Sequence, residues 1–279
     1  GVDFFLNNYV CDIFPNNCIR VYLHHDIYDT PLVNYNKEKE LFKRFNNYDF
    51  ILIPSEKSKK IFCKLKKNYR GRETKLIIIG YYKLDYLKKK ISLKKRKITR
   101  NIVIAPTDYY TFPKLSLMPK IESIIDKILK KTNYNVVFRP HPSNLNYKNV
   151  NKIMKKFVNN KRVKIDRTTN YLKTYSESEL MISDLSGTAY TYSFLTHKPT
   201  IFFSNYEHKL KNLNYFFLNF FNDRNKIGYI VNNNSKLTKV LNNKNNHKKK
   251  TKLIKTILLS SFKIGQAKSL FNNFVYKVL

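Results

Sequence analysis

Three histidines stand at the ends of apolar runs, where a sheet protein exposes its chemistry. His24 and His25 close the run CIRVYLHH, and His141 sits between Pro140 and Pro142 in VVFRPHPSN. An imidazole is the usual general base for an alcohol near neutral pH, and Asp26 or Asp29, which follow in DIYDTP, could orient it. Metal binding by the His24/His25 pair is disfavoured, because neighbours along a strand point to opposite faces and no third ligand is spaced nearby. The prolines restrict the backbone around His141 and hold its ring in one direction. Arg139 adds a planar cation that can grip phosphate in a fork. A tight turn whose histidine satisfies a backbone carbonyl fits the same residues.

The stretch SDLSGTAY, residues 183 to 190, offers a different chemistry. An apolar run ends, small hydroxyl residues and one glycine follow, and a helix-forming segment begins. A helix start carries free N–H groups and a partial positive charge. Gly187 would let a ligand approach the backbone, and Ser186 and Thr188 add hydroxyl donors. Together they suit a phosphate or pyrophosphate. An ordinary helix cap is the other reading, since Ser and Asp are favoured there.

The elements that must position these residues are short. CIRVYLHH, FILIPS, KLIIIG, NIVIAPT, NVVFRP, LMISD and PTIFFS are brief, rich in β-branched or aromatic residues, and end in polar or turn residues. Helix-length segments lie between them, such as SLMPKIESIIDKILKKT and GTAYTYSFLTH. Alternating strand and helix predicts an α/β fold with parallel sheets and helices on both faces. In such sheets ligands bind beyond the carboxyl ends of the strands. The exits are then His24 to Asp26, Gly80, Thr107 and Asp108, Arg139 to His141, and Ser183 to Thr188. The basic run at 86–101 reads as an interdomain linker or a solvated helix, and the polar run at 231–252 as a short helix in loose surface chain. The basic stretch at 65–72 reads as a solvated face, and the aromatic cluster at 214–222 as core. The last 27 or so residues return to helical spacing.

Composition narrows the partners. The chain has 279 residues, a formal net charge of +35, 42% hydrophobic and 15% aromatic residues. That is a globular chain with one large domain or two small ones. A basic surface favours phosphorylated substrates, anionic lipid or nucleic acid. Cys11, Cys18 and Cys63 follow no metal-ligand spacing and read as free thiols. No apolar run is long enough to span a bilayer, and Gly1 to Val10 lacks the basic start of a signal peptide. A dinucleotide fingerprint, a P-loop and a zinc-protease helix motif are all missing.

Six motifs in order carry a family resemblance: LHHD; GYYKLD from Gly80 to Asp85; APT from Ala105 to Thr107; RPHP from Arg139 to Pro142; SDLSG from Ser183 to Gly187; and HKPTIFF from His197 to Phe203. The chain resembles the bacterial CDP-glycerol glycerophosphotransferases of the teichoic-acid type, which have a GT-B fold. It departs from their pattern at Asp26, Tyr82, Gly187 and Thr191. The resemblance implies two Rossmann-like domains facing across a cleft: an acceptor-side domain at 1–95, short enough to be incomplete, and a donor-nucleotide domain at 96–279. It implies His25 as catalytic base with His24 as fallback, and His141 and Arg139 on the donor diphosphate with Ser183, Asp184, Ser186, Gly187 and Thr188. It implies no metal and no cofactor. The expected reaction moves glycerol phosphate from CDP-glycerol to a hydroxyl of a lipid-linked surface polymer, teichoic acid or capsule-like, by a cytoplasmic enzyme peripheral at the inner face of the cell membrane. A GT-B glycosyltransferase using a nucleotide sugar in capsule or lipopolysaccharide synthesis is the alternative. A basic nucleic-acid-binding protein explains the charge but not the motifs.

Overall fold

Val21, Leu52, Val103, Ile104, Val136 and Ile182 are all fully buried. Each belongs to an apolar run too short for a helix, and burial on both faces drives such runs side by side into parallel sheets. The computed structural model of the protein describes residues 3–28, 44–66, 73–92, 99–204, 206–211 and 219–279. Strands β1 (Phe4–Asn7), β2 (Ile19–Leu23), β3 (Phe50–Ile53) and β4 (Lys75–Ile78) form one sheet in the order β1-β2-β3-β4. Strands β5 (Asn101–Ala105), β6 (Asn135–Phe138), β7 (Val163–Ile165), β8 (Ser178–Ser183), β9 (Thr200–Phe203) and β10 (Gly228–Val231) form a second, in the order β10-β9-β8-β5-β6-β7. Every pairing between these strands is parallel.

All seven apolar runs read as strands are strands. The structure adds β1, β7 and β10, and all three lie at sheet edges. It also adds helix in the polar tail. Residues 231–252 are not loose chain: helices Asn234–Asn242 and Lys244–Ser261 cover most of them. Buried Leu237, Leu241, Ile254, Ile257 and Leu258 anchor them at helical spacing. The run at 86–101 begins as the end of helix Tyr82–Ser92, with Leu87 and Ile91 buried; residues 93–98 lie outside the described residues. So do 67–72, most of the basic stretch after helix Glu56–Lys66. Of the aromatic cluster, Phe220 and Phe221 are described and buried.

The chain divides into two compact units. The first holds Gly1–Tyr86, Phe217–Asn222 and Ile257–Leu279; the second holds Leu87–Phe216 and Asp223–Thr256. Residues 257–279 therefore group with the first unit, where the sequence reading left them with the second. The cause is the apolar face of helix Ala267–Val278: Phe274, with Leu270, Phe271 and Val275, packs with Val21, Leu52 and Phe50 on the four-stranded sheet. In the second unit, Ile121, Ile124, Ile125 and Ile128 of helix Ile121–Lys131 cover Ile102, Ile104, Val136 and Ile182. No helix among the described residues is long and apolar enough to cross a membrane.

The motif from Gly80 to Asp85 holds this returning helix. Gly80 has φ +79°, and a Cβ there would stand 3.1 Å from the Lys263 carbonyl oxygen. Both the left-handed backbone and the close approach call for glycine. Asp85 accepts from the amides of Gly265 at 2.8 Å and Ala267 at 3.2 Å, so a carboxylate from one helix caps the start of another. No side chain of the capped helix's own N-terminal residue does this. We expect Asp85→Ala to lower the stability of the first unit by about 1–2 kcal/mol. In hydrogen-exchange mass spectrometry, 265–278 should lose protection while β5 to β9 keep theirs.

Candidate active site

In the second sheet β5 is the pivot. The chain steps from β5 to β6 and β7 on one side, then crosses to β8, β9 and β10 on the other. That reversal between β5 and β8 is a topological switch point, the place where open parallel sheets bind ligands. Register aligns the exits: Ala105 pairs with Ser183, and Ile104 pairs with Phe138. The residues after β6 and after β8 thus leave one carboxyl edge, on strands flanking β5 and on the order of 10 Å apart.

Two of the residues expected at a ligand face inward. Ser183 is fully buried and donates to the Ala105 carbonyl at 2.6 Å. Asp184 is 2% exposed and accepts from the amides of Thr107 at 2.8 Å and Leu117 at 2.6 Å. Burial pushes its carboxyl up to about 7, against the pull of those amide donors. Ser183 and Asp184 brace the β5 and β8 loops together and do not present groups to a phosphate.

Arg139 is likewise committed. Its guanidinium meets Asp166 at 2.6 Å and the Thr168 carbonyl at 2.7 Å, and packs 5.8 Å from the Tyr171 ring centre. Burial alone would raise the Asp166 carboxyl, but hydrogen bonds from Thr174, Thr168 and Arg139 hold it below its ordinary value. The fork expected for phosphate is filled by this buried pair, which ties the exits of β6 and β7.

His141 is half-buried at the end of β6, with Nδ1 2.7 Å from the Ser143 hydroxyl. Ser143 Oγ in turn donates to Asp108 Oδ1 at 2.8 Å. Asp108 also accepts from Asn144 Nδ2 at 2.9 Å, Thr111 Oγ1 at 2.6 Å and the Tyr110 amide at 3.0 Å. Burial would raise this carboxyl, but Thr111, Ser143, Asn144 and Tyr110 together bring it down to about 2. Burial lowers the His141 imidazole below its ordinary value, and the Asp108 charge opposes that.

Helix Thr188–Thr196 opens after Gly187, and no side chain caps it. Ser186 to Thr188 are half-buried. The Thr188 amide has only a 3.4 Å contact to Ser186 Oγ, and the Thr188 hydroxyl is hydrogen-bonded to buried Tyr175. Gly187 has φ −59°, so no unusual backbone requires glycine there.

In the first unit the two adjacent histidines part company. His25 is exposed after β2; its Nδ1 lies 2.9 Å from the Asn8 carbonyl, so that nitrogen carries the proton and Nε2 offers its lone pair. Tyr9 stacks on the ring at 5.4 Å, and Tyr81 donates to the His25 carbonyl at 3.0 Å. A carbonyl, not Asp26, orients it: Asp26 accepts from the Ile27 amide at 2.6 Å. Asp29 lies outside the described residues. His24 is buried, bonded through Nε2 to the Tyr28 carbonyl, with no hydrogen-bond partner on Nδ1. Burial pushes its imidazole down to about 4. It cannot reach an acceptor hydroxyl, and the fallback role read for it is withdrawn.

Sequence reading missed Ser143, Asp166, Tyr175 and Asn8. Ser143 stood two residues beyond His141 in plain view, while Asp166 follows an edge strand that the apolar pattern did not mark. Nothing in sequence marked Tyr175 or the Asn8 carbonyl. A cavity of about 460 Å³ lined by Arg100, Lys130, Lys131, Tyr134 and Leu241 lies at the opposite, amino edge of β5 and β6. The position of the switch point, and not cavity size, decides for the carboxyl edge.

The family profile for CDP-glycerol:poly(glycerophosphate) glycerophosphotransferase matches residues 22–268. No curated protein sequence matches the chain. The fold is similar to that of the wall teichoic acid polymerase TagF, with a TM-score of 0.64 at 16% identity over 97% of this chain and 71% of that one. A TagF variant soaked with CDPG gives 0.57 at 18% identity, over 88% of this chain and 60% of that one. UDP-GlcNAc 2-epimerase from Methanocaldococcus jannaschii, in complex with UDP-GlcNAc and UDP, gives 0.55 at 16% identity, over 85% and 68%. At these identities the structural likeness concerns the fold.

Asp184→Asn keeps the side chain's size but leaves one of the two loop amides facing an NH2 group. We expect a loss of about 1–3 kcal/mol, read from the denaturant midpoint. The sign with pH follows from the raised carboxyl. Its contribution is fully present below the ordinary 3.8 and is lost as pH rises through about 7. The margin of the native protein over the variant should therefore shrink across that window.

Proposed function

Because the chain belongs to the CDP-glycerol:poly(glycerophosphate) glycerophosphotransferase family, we propose that its donor diphosphate binds at the carboxyl edge of the six-stranded sheet and that His25 activates the acceptor. The observation that carries the donor site is the common exit of His141 and the uncapped helix start at Gly187 from strands flanking β5. The amides of Gly187 and Thr188, the latter held only by a 3.4 Å contact to Ser186 Oγ, and the His141 ring are donors suited to phosphate oxygens. Ser186 adds a half-buried hydroxyl. Arg139, Ser183 and Asp184 act one step back, as braces of those loops.

The acceptor hydroxyl attacks the phosphorus that carries the glycerol. Its proton passes to His25 Nε2, a new P–O bond forms, the P–O bond inside the diphosphate breaks, and CMP leaves with the bonding electrons. The protein's share is positioning and electrostatic stabilisation, as phosphoryl transfer requires. Support for His25 as base is its geometry: an exposed ring with Nδ1–H given to Asn8 and, among the described residues, no hydrogen bond on Nε2.

The acceptor in this reading is a teichoic-acid or capsule-like polymer, lipid-linked at the inner leaflet. The net charge of +35 supports peripheral attachment of a cytoplasmic enzyme to an anionic membrane surface.

CMP release from CDP-glycerol tests the assignment. His25→Asn should cut kcat by about 10²–10⁴-fold while donor binding and the denaturation profile stay as in the native protein. His141→Ala should weaken donor binding. Full activity in His141→Ala overturns the donor site, and turnover of nucleotide sugars alone, in a panel of activated donors, overturns the transferred group.

A further inference from the structure

The loop after β5 and the turn after β6 share a hydrogen-bonded chain that nothing in the reaction scheme has yet used. It runs from Asp108 Oδ1 to Ser143 Oγ at 2.8 Å and from Ser143 Oγ to His141 Nδ1 at 2.7 Å. The direction of its protons follows from counting. A carboxylate with four hydrogen-bond donors within reach of its two oxygens can only accept. Three of those are the Asn144 amide group, the Thr111 hydroxyl and the Tyr110 amide, and Ser143 is the fourth. Ser143 has one hydroxyl proton and gives it to the charged acceptor, the stronger of its two partners. Its oxygen then faces His141 Nδ1 with a lone pair, which favours a proton on Nδ1. The Ser143 amide opposes this by donating toward Nδ1 as a turn cap, but at 3.4 Å it is the weaker contact. Asn144, fully buried, holds the chain together by accepting from the Tyr109 amide at 2.8 Å while donating to Asp108.

We propose that Asp108, acting through Ser143, is a positioning pair that fixes the proton of the neutral His141 ring on Nδ1, so that Nε2 can donate to an anionic donor group only when the ring is doubly protonated. This rests on the reading that His141 contacts the donor diphosphate. The consequence is that donor binding takes up one proton. The neutral ring offers a lone pair to the phosphate, and the imidazolium offers an N–H. Asp108 is the charged neighbour acting on this ring; it favours the imidazolium, and burial disfavours it. Affinity is thus full below the pKa of the free ring and lost as pH rises through that of the complex.

Two measurements test this separately. In the full chain labelled with 15N-histidine, NMR of the neutral His141 ring should show Nδ1 protonated and Nε2 bare. Ser143→Ala should give a tautomer mixture, and Ser143→Thr, which keeps the hydroxyl, should restore the native state. Binding of CDP-glycerol from about pH 5 to about pH 9 should weaken roughly tenfold per pH unit above the ring's titration in the native protein. In Ser143→Ala it should weaken less than about threefold per unit, because the freed neutral ring can donate from Nε2. A native ring carrying its proton on Nε2, or an unchanged slope in Ser143→Ala, overturns the relay. If His141→Ala changes neither affinity nor slope, the donor-contact reading fails, and the NMR tautomer still decides the relay on its own.

Discussion

A single buried carboxylate holds the second unit's site in place. Asp184 ends β8 and accepts two main-chain amides from the segment that follows β5. Taking its charged form out of water costs more than those amides return, so burial pushes the carboxyl up to about 7. The two amide bonds still tie Thr107 and Leu117 to the end of the neighbouring strand. Asp108 follows Thr107 directly, and through Ser143 it reaches His141. An inward-facing carboxylate therefore sets the position of an imidazole on a different strand.

The two units solve the same problem by different means. His25 takes its orientation from a backbone carbonyl, an aromatic neighbour and a tyrosine hydroxyl. Its Nδ1 is bonded to a carbonyl, which turns Nε2 outward, the arrangement that a group taking a proton from a hydroxyl needs. His141 is held against a hydroxyl that is itself held by a carboxylate, which suits a ring that carries charge while it touches an anion. Adjacent His24 shows what burial does without such support: the ring is kept neutral and serves packing.

What the sequence made legible follows from burial. Strands enclosed on both faces read as unbroken apolar runs, and their exits could be named before any coordinates. β7 escaped because it is a three-residue edge strand with partly open faces, so VKI looks like surface chain, whereas β4, also at an edge, was legible through its unbroken run of Leu76 to Ile79. At the site, residue type was legible and direction was not. Asp184 and Arg139 are the residues a phosphate site calls for, yet both turn inward to partners that lie far away along the chain, Leu117 and Asp166. No local pattern distinguishes a serine that faces a ligand from one, like Ser183, that faces a carbonyl.

The return of helix Ala267–Val278 to the first sheet has a consequence for biosynthesis. β4 ends at Ile78, so roughly 190 residues separate the finished sheet from the helix that covers it. At ~5–20 residues per second that is on the order of ten to forty seconds. For that interval the nascent chain carries Val21, Leu52 and Phe50 without the Phe274 face that seals them. The second unit, whose own helices are interleaved with its strands, has no such wait. Between these two units the usual order of vectorial folding is thereby reversed: the sheet that is synthesised earlier is the later one to be sealed, and its apolar face stays open in the meantime.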